Sequence, residues 1–367
     1  MTAQVELGLL YSRSGSYALI SEACRTGALT AIAEINADPA SALNFVPVER
    51  DPCGNTDAYG PLCEEILRDS SARHVIGCVT SWSRKEVIPT LERAGGTLWY
   101  PVPYEGFEAS DHVVYTHACP NQHLLPLLGW AFARLGRRGY LTGSNYIWGW
   151  EMNRLAREVI SGAGGEVLGE RYLPLGSVDI GRMIEEIRAT RPDFILNNLI
   201  GPSQYAFLAA YRRLGEEVAH FRPETCPILS CNLTECELAA IEPAAAEGLV
   251  AAGPYFRGAT GWPGARRSFG SSHEAAAWSA VQRLARLLSG HAGAATESLA
   301  QLLAHAPGGT EGIDPATHHT ELPVLIAQVE NGAFVTRERF APRMGDPYLS
   351  HGREAALPAA PQLKVVG

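Results

Sequence analysis

The chain has 367 residues, 46% of them apolar and 19% charged, which is enough for two domains that each bury a core. A formal net charge of −9 and the absence of any long Lys/Arg run argue against a direct nucleic-acid surface. The pairs Arg137-Arg138, Arg212-Arg213 and Arg266-Arg267 stand isolated, and no apolar run approaches the roughly 20 residues that a spanning helix needs.

Met1-Thr2-Ala3-Gln4 leads almost directly into a strand, without the basic and apolar regions of a signal peptide, so a cytoplasmic protein is expected. The alternative is a periplasmic or otherwise extracytoplasmic protein whose signal has been removed. From there strands and helices alternate. Val5–Tyr11 reads as a strand and Ser12–Ser16 as a polar turn. Ile20, Cys24, Gly27, Ala28, Ala31, Ile32 and Ile35 then recur at helical spacing. Asn44–Arg50 is a strand and Tyr59–Arg68 a helix. Val75–Val79 is an apolar run of the kind a doubly buried parallel strand shows, and Thr80-Ser81 supply hydroxyls for the next helix start. Leu98–Tyr100 is a strand stopped by Pro101 and Pro103, and Val113–Tyr115 follows.

Pro120-Asn121-Gln122 marks a passage into a second lobe, where the alternation resumes. The expected strands are 139–142, 166–172, 194–198, 227–231 and 248–251, and the expected helices 124–135, 151–161, 180–189, 203–214 and 235–241. Gly253-Pro254-Tyr255 reads as the return crossing, followed by helices near 273–288 and 297–304. Glu330-Asn331-Gly332-Ala333 between two apolar runs is a hairpin signal, and the Ala/Pro-rich tail after Pro347 is expected to be irregular. The expected fold class is α/β and two-lobed, each lobe a largely parallel sheet flanked by helices, with a ligand cleft between them. The first lobe is expected to comprise 1–120 plus 255–325, and the second 121–254 plus 326–367.

Several chemistries lack their motifs. The first turn is Ser12-Arg13-Ser14-Gly15-Ser16 in place of G-x-G-x-x-G, and neither a phosphate loop nor a G-x-S-x-G elbow occurs. No nucleophile, base and acid assemble, so no catalytic residue, cofactor or metal is assigned. Cys226, Cys231 and Cys236 lack the CxxC spacing of zinc sites, and His318-His319 is expected in a solvated loop. Cys53 and Cys63 flank a short loop that a disulfide could span, although free thiols suit a reducing compartment. Hydroxyls and amides, by contrast, recur just past strand carboxyl ends at Ser14, Ser81, Tyr100, Tyr146 and Asn232, the edge at which open α/β sheets bind ligands. Trp82, Trp148 or Tyr255 would wall such a ligand from water. With only Arg84 and Glu105 nearby in sequence, a small uncharged polar ligand is expected.

These stretches resemble the type I periplasmic-binding-protein fold, and within it the AmiC-like amide sensors of amidase operons and the short-chain amide and urea binding proteins of ABC importers. The resemblance rests on Gly77-Cys78 with Ser81 and Arg84-Lys85, and on the run Tyr100-Pro101-Val102-Pro103-Tyr104-Glu105-Gly106-Phe107-Glu108. Pro120-Asn121-Gln122, Gly143–Ile147, Pro254-Tyr255-Phe256 and Ile313-Asp314-Pro315 with His319 extend it over nearly the whole chain.

It implies ligand contacts at Ser81, Tyr100 and Tyr146. The sequence departs from the sensors at Val79 (an aromatic there), at Val102 (a hydroxyl residue there) and at Trp148-Gly149-Trp150 (Tyr-Pro-Arg there). Acetamide itself is therefore not carried over, and an aryl amide, a nitrile-derived amide or urea stays open. The resemblance further implies a sensor that sequesters an RNA-binding antiterminator and releases it when an amide binds. The alternative is a solute-binding subunit partnered by an ABC permease, for amides, urea or amino acids. The expected ligand set is Ser81, Tyr100, Tyr146, Val102, Ser14, Trp148, Asn232 and Tyr255, and assembly into a homo-oligomer is compatible with either role.

Overall fold

The structure, a computed structural model, describes residues 3–259, 262, 264–290, 294, 297–306 and 309–350. The tail expected to be irregular lies, from residue 351 on, outside the described residues. The chain begins β1 (Ala3–Leu10), α1 (Ala18–Ala37), β2 (Leu43–Arg50), α2 (Tyr59–Asp69), β3 (His74–Gly77), α3 (Ser81–Ala94), β4 (Thr97–Tyr100) and β5 (Val113–Tyr115). These five strands form one wholly parallel sheet in the order β2-β1-β3-β4-β5. Its centre is covered on both faces, which is why His74–Gly77 and Thr97–Tyr100 are buried throughout and read as unbroken runs.

The second part runs α4 (Leu124–Arg134), β6 (Arg138–Ser144), α5 (Ile147–Gly162), β7 (Glu166–Leu173), α6 (Gly181–Thr190), β8 (Phe194–Asn198), α7 (Gly201–Glu217), β9 (Ile228–Ser230), α8 (Glu235–Leu238), α9 (Pro243–Ala246) and β10 (Val250–Gly253). The chain then makes α10 (Ser272–Leu288) and α11 (Leu299–His305) before β11 (Glu321–Glu330) and β12 (Ala333–Met344). The second sheet has the order β12-β11-β10-β9-β8-β6-β7, parallel except where the β11–β12 hairpin closes its edge. Asn331 and Gly332, at φ 52° and 77°, supply the two positive φ values of a type I′ turn.

Although α10 follows the second sheet's strands, it packs along α1 and against β3 and β4. A Cβ on Gly27 would lie 2.1 Å from the Glu274 carbonyl oxygen, so the two helix backbones touch and only glycine fits. Asn121 and Gln122 tie the crossing segments together. Gln122 donates to the Thr320 and Arg343 carbonyls (2.9 and 2.7 Å), and Asn121 to Met344 (2.9 Å).

Several expectations need correction. Strand β3 stops at Gly77 because Cys78 takes the left-handed region (φ 65°), leaving Val79 in the turn. Helix α8 is one turn long and ends at Leu238. His318-His319 is not solvated: a bridge to Tyr115 lays this segment against β5, and the His319 ring stacks on Tyr115 at 4.2 Å. No bond joins Cys53 to Cys63, the first exposed and the second buried, and all eight cysteines are free.

Candidate ligand-binding site

A cavity lies between the two sheets, lined by Tyr17, Ile20, Val79, Thr80, Ser81, Tyr100, Val102, Pro103, Tyr146, Trp148, Ile200, Asn232 and His273. All except His273 lie at or beyond the carboxyl ends of β1, β3, β4, β6, β8 and β9. It is small in this conformation, with about 30 Å³ available to the centres of water-sized spheres.

Ser81 is the first residue of α3. The preceding Thr80 caps that helix by accepting from the Ser83 N–H, in a capping box that fixes the start of the helix. The Ser81 hydroxyl donates to Glu105 Oε2 (2.8 Å), and Glu105 Oε1 accepts from Arg84 Nη2 (2.6 Å). Arg84 is wholly buried, with its guanidinium carbon 4.9 Å from the Tyr100 ring and 4.7 Å from that of Tyr104. Its Nε donates to Glu108 Oε1 (2.7 Å), and Glu108 also accepts from Lys85 (2.7 Å) and the Tyr115 hydroxyl (2.7 Å). Burial works against ionising Glu108, but the Arg84 charge and the hydrogen bonds from Arg84, Lys85 and Tyr115 outweigh it and hold the carboxyl at about 2. Two carboxylates therefore balance Arg84 and Lys85 directly behind the cavity.

Among the described residues no Asp, Glu, Lys or Arg lines the cavity itself. Burial drives the Tyr100 and Tyr146 hydroxyls upward and keeps them protonated. Burial also lowers His273 to about 4, which leaves it neutral. Trp148, in the first turn of α5, has a buried indole N–H without a partner among the described residues. The Asn232 amide is engaged internally: its oxygen accepts from Ser230 Oγ (3.0 Å) and its nitrogen donates to the Leu199 carbonyl (3.4 Å). The wall thus offers hydroxyls and the unmet Trp148 N–H, interleaved with Ile20, Val79, Val102, Pro103 and Ile200.

Six of the eight residues singled out in the sequence line this cavity: Ser81, Tyr100, Val102, Tyr146, Trp148 and Asn232. Ser14 does not. It sits exposed at the tip of the β1–α1 turn against Gly54, and Tyr17, three residues on, reaches inward instead. Tyr255 is also off the cavity. Its hydroxyl accepts from the Phe269 N–H (2.9 Å) and donates to the Phe269 carbonyl (3.1 Å), with Ser268 Oγ also at 3.1 Å, pinning the return segment. Trp82 points to solvent. Sequence reasoning missed Tyr17, Ile20, Ile200 and His273. The first three sit beyond strand ends, a signal that was available, whereas His273 arrives from a distant helix and no local pattern announces it.

The lobes meet around this cavity. A Cβ on Gly201, at φ +56°, would stand 2.3 Å from the Ser16 carbonyl oxygen of the other lobe. Arg154 of α5 reaches over the Phe107 ring (4.7 Å), and the His273 ring meets Thr234 (3.1 Å). Among the described residues no group of three His, Cys, Asp or Glu could hold a metal ion, and no helix is long and apolar enough to cross a membrane.

A family model described as a periplasmic binding protein domain matches residues 5–269. The chain belongs to the periplasmic binding protein family. Solved structures agree on the architecture of this periplasmic binding protein. A solute-binding protein of an ABC transporter from R. palustris, in complex with benzoate, superposes with TM-score 0.77 at 17% identity, covering 94% of this chain and 98% of that one. A leucine binding protein from Thermotoga maritima gives 0.76 at 15%, covering 92% and 99%. The branched-chain amino acid transporter substrate binding protein of Streptococcus pneumoniae, in complex with isoleucine, gives 0.70 at 16%, covering 93% and 99%. The fold is the two-lobed type I form, and the protein is a ligand binder, not an enzyme.

Proposed function

We propose that this periplasmic binding protein is the solute-binding subunit of an ABC importer and captures a small neutral ligand carrying both an N–H and a carbonyl group, an amide or urea. The observation that carries the proposal is the hydrogen-bond polarity of the uncharged cavity. Ser81 commits its proton to Glu105, a carboxylate ion-paired with Arg84, so its oxygen faces the cavity as an acceptor. Trp148 offers a donor whose unmet burial costs about 1–3 kcal/mol until an acceptor arrives. Tyr100 and Tyr146 serve either role from opposite lobes. Benzoate and isoleucine, bound by the structural neighbours, carry charges that would need charged partners. Here Arg84, behind the cavity, has its charge balanced by Glu105 and Glu108, and only its Nη1 is without a hydrogen-bond partner among the described residues. Val79, where the amide sensors carry an aromatic, is the smaller side chain, which favours a ligand with an aryl substituent.

The importer role is supported by the neighbours named as solute-binding proteins, and it implies a periplasmic or extracytoplasmic location. Sheet membership supports a first lobe of 1–120 with the segment from 255 up to β11, and a second of 121–254 with β11 and β12; the expected boundary at 325/326 moves to the start of β11 at Glu321, because the whole strand pairs in the second sheet.

A second reading is favoured by a different observation: all eight cysteines are free thiols, which suits a reducing compartment. In that reading the receptor is cytoplasmic and its amide-driven closure releases an antiterminator protein, as the resemblance to the amide sensors implies. Native mass spectrometry of the purified protein, followed by calorimetry with benzamide, urea, benzoate and leucine, tests the ligand class. The proposal fails if neither neutral compound binds and benzoate or leucine does. Fractionation of cells producing the protein from its own gene separates the two roles. Recovery in the periplasm supports import, and recovery in the cytoplasm supports sensing.

A further inference from the structure

His273 belongs to α10 on the first lobe, lines the cavity, and bonds to the second lobe. Its Nδ1 lies 3.1 Å from Thr234 Oγ1 and 3.9 Å from Cys236 Sγ, and Thr234 Oγ1 is 3.3 Å from that sulfur. Its ring stacks on His117 at 5.3 Å. His117 Nδ1 accepts the Ala118 N–H (2.8 Å), so the proton of that ring is on Nε2, directed at Ser272 Oγ (3.1 Å). Burial keeps both rings neutral, and a neutral imidazole has one donor and one acceptor nitrogen. Burial likewise keeps the Cys236 thiol protonated. Thr234 has one proton to give and two neighbours to give it to. Imidazole nitrogen is the stronger acceptor and thiol sulfur a weak one, so the Thr234 proton goes to Nδ1 while the S–H of Cys236 points at the Thr234 oxygen.

We infer that His273 presents Nε2–H to the cavity as a donor for the ligand's carbonyl oxygen, and that Thr234, across the cleft, is the positioning residue that fixes this tautomer. No hydrogen bond from a described residue reaches Nε2, so its donor is available to a ligand. The Thr234 bond exists only with the lobes together. A ligand that accepts from Nε2–H therefore binds the closed form better than the open one, which couples occupancy to closure. The inference rests on the cleft being the ligand site.

The test is long-range ¹H–¹⁵N NMR on histidine-labelled protein, with and without benzamide, for wild type, Thr234→Val and His273→Gln, the last serving to assign the signal. The wild type is expected to show His273 protonated on Nε2. Thr234→Val is expected to show a mixed tautomer and about tenfold weaker benzamide binding, the worth of one hydrogen bond. A wild-type ring protonated on Nδ1, or a tautomer unchanged in Thr234→Val, overturns the inference. If benzamide and urea fail to bind but the tautomer behaves as stated, the amide reading falls and the tautomer assignment stands.

Discussion

Gly201→Ala separates backbone strain from closure within a single variant. Gly201 opens α7 with φ +56°, where an L residue costs about 1–2 kcal/mol, and that cost is present whether the cleft is open or shut. The new methyl would also stand 2.3 Å from the Ser16 carbonyl oxygen, a contact made only when the lobes come together. Both atoms of that clash are anchored in backbone, so the lobes must part by well over half an ångström. Parting them loosens the Arg154–Phe107 contact and the His273–Thr234 hydrogen bond, together worth about 2 kcal/mol. Calorimetry with benzamide should therefore show about thirtyfold weaker binding, and small-angle scattering a larger radius of gyration in the saturated variant. The strain appears separately, as a lower melting temperature without ligand. A variant that melts earlier yet binds benzamide as wild type does would refute the closure contact.

The carboxylates behind the cavity give a pH prediction. The folded-state value of Glu108, about 2, lies below its ordinary 4.5, so its contribution is full above pH 4.5 and is lost as pH falls towards 2; denaturant melts at pH 6 and pH 3 should differ by up to about 2 kcal/mol. Arg84→Met leaves Glu105 buried without its cation and Glu108 with Lys85 alone, and urea denaturation should register a loss of about 3–5 kcal/mol. Glu237 is shifted the other way. Buried under Gln204 and Tyr205 with one oxygen unpartnered, it is raised from 4.5 to about 7, so its charge erodes stability as pH rises between those values. Glu237→Gln should be more stable than wild type by up to about 3 kcal/mol at pH 8 and match it at pH 4. Equal melting at pH 8 would contradict that reading.

The alternation of strands and helices was legible because doubly buried strands leave unbroken apolar runs and the amphipathic helices between them leave a spaced one. Asn331-Gly332 announced its hairpin because the turn demands two positive φ values. The end of β3 was not legible. Val75–Val79 is apolar throughout, and only the backbone reveals that Cys78 turns left-handed and puts Val79 on the cavity wall. Ser81, Tyr100 and Tyr146 were found because strand carboxyl ends face the cleft. The same rule misplaced Ser14, because sequence position after a strand does not set which way a turn residue points. Tyr255 was misread because its hydroxyl is satisfied by Phe269, a pairing invisible until the return segment folds. His318-His319 looked solvated because polar pairs in loops usually are, and here a bridge to Tyr115 buries them. The hydrogen-bond polarity of the site was equally hidden, since it depends on Glu105 folding back onto Ser81.

Benzamide and benzoate have nearly the same shape and differ in charge and in the N–H donor. Calorimetric titration of the wild-type protein with both at pH 7 therefore tests directly whether an uncharged cavity with a Ser81 acceptor selects a neutral ligand. The account predicts that benzamide binds and that benzoate binds at least a hundredfold more weakly or not at all. Benzoate binding as tightly as benzamide, or more tightly, would contradict it.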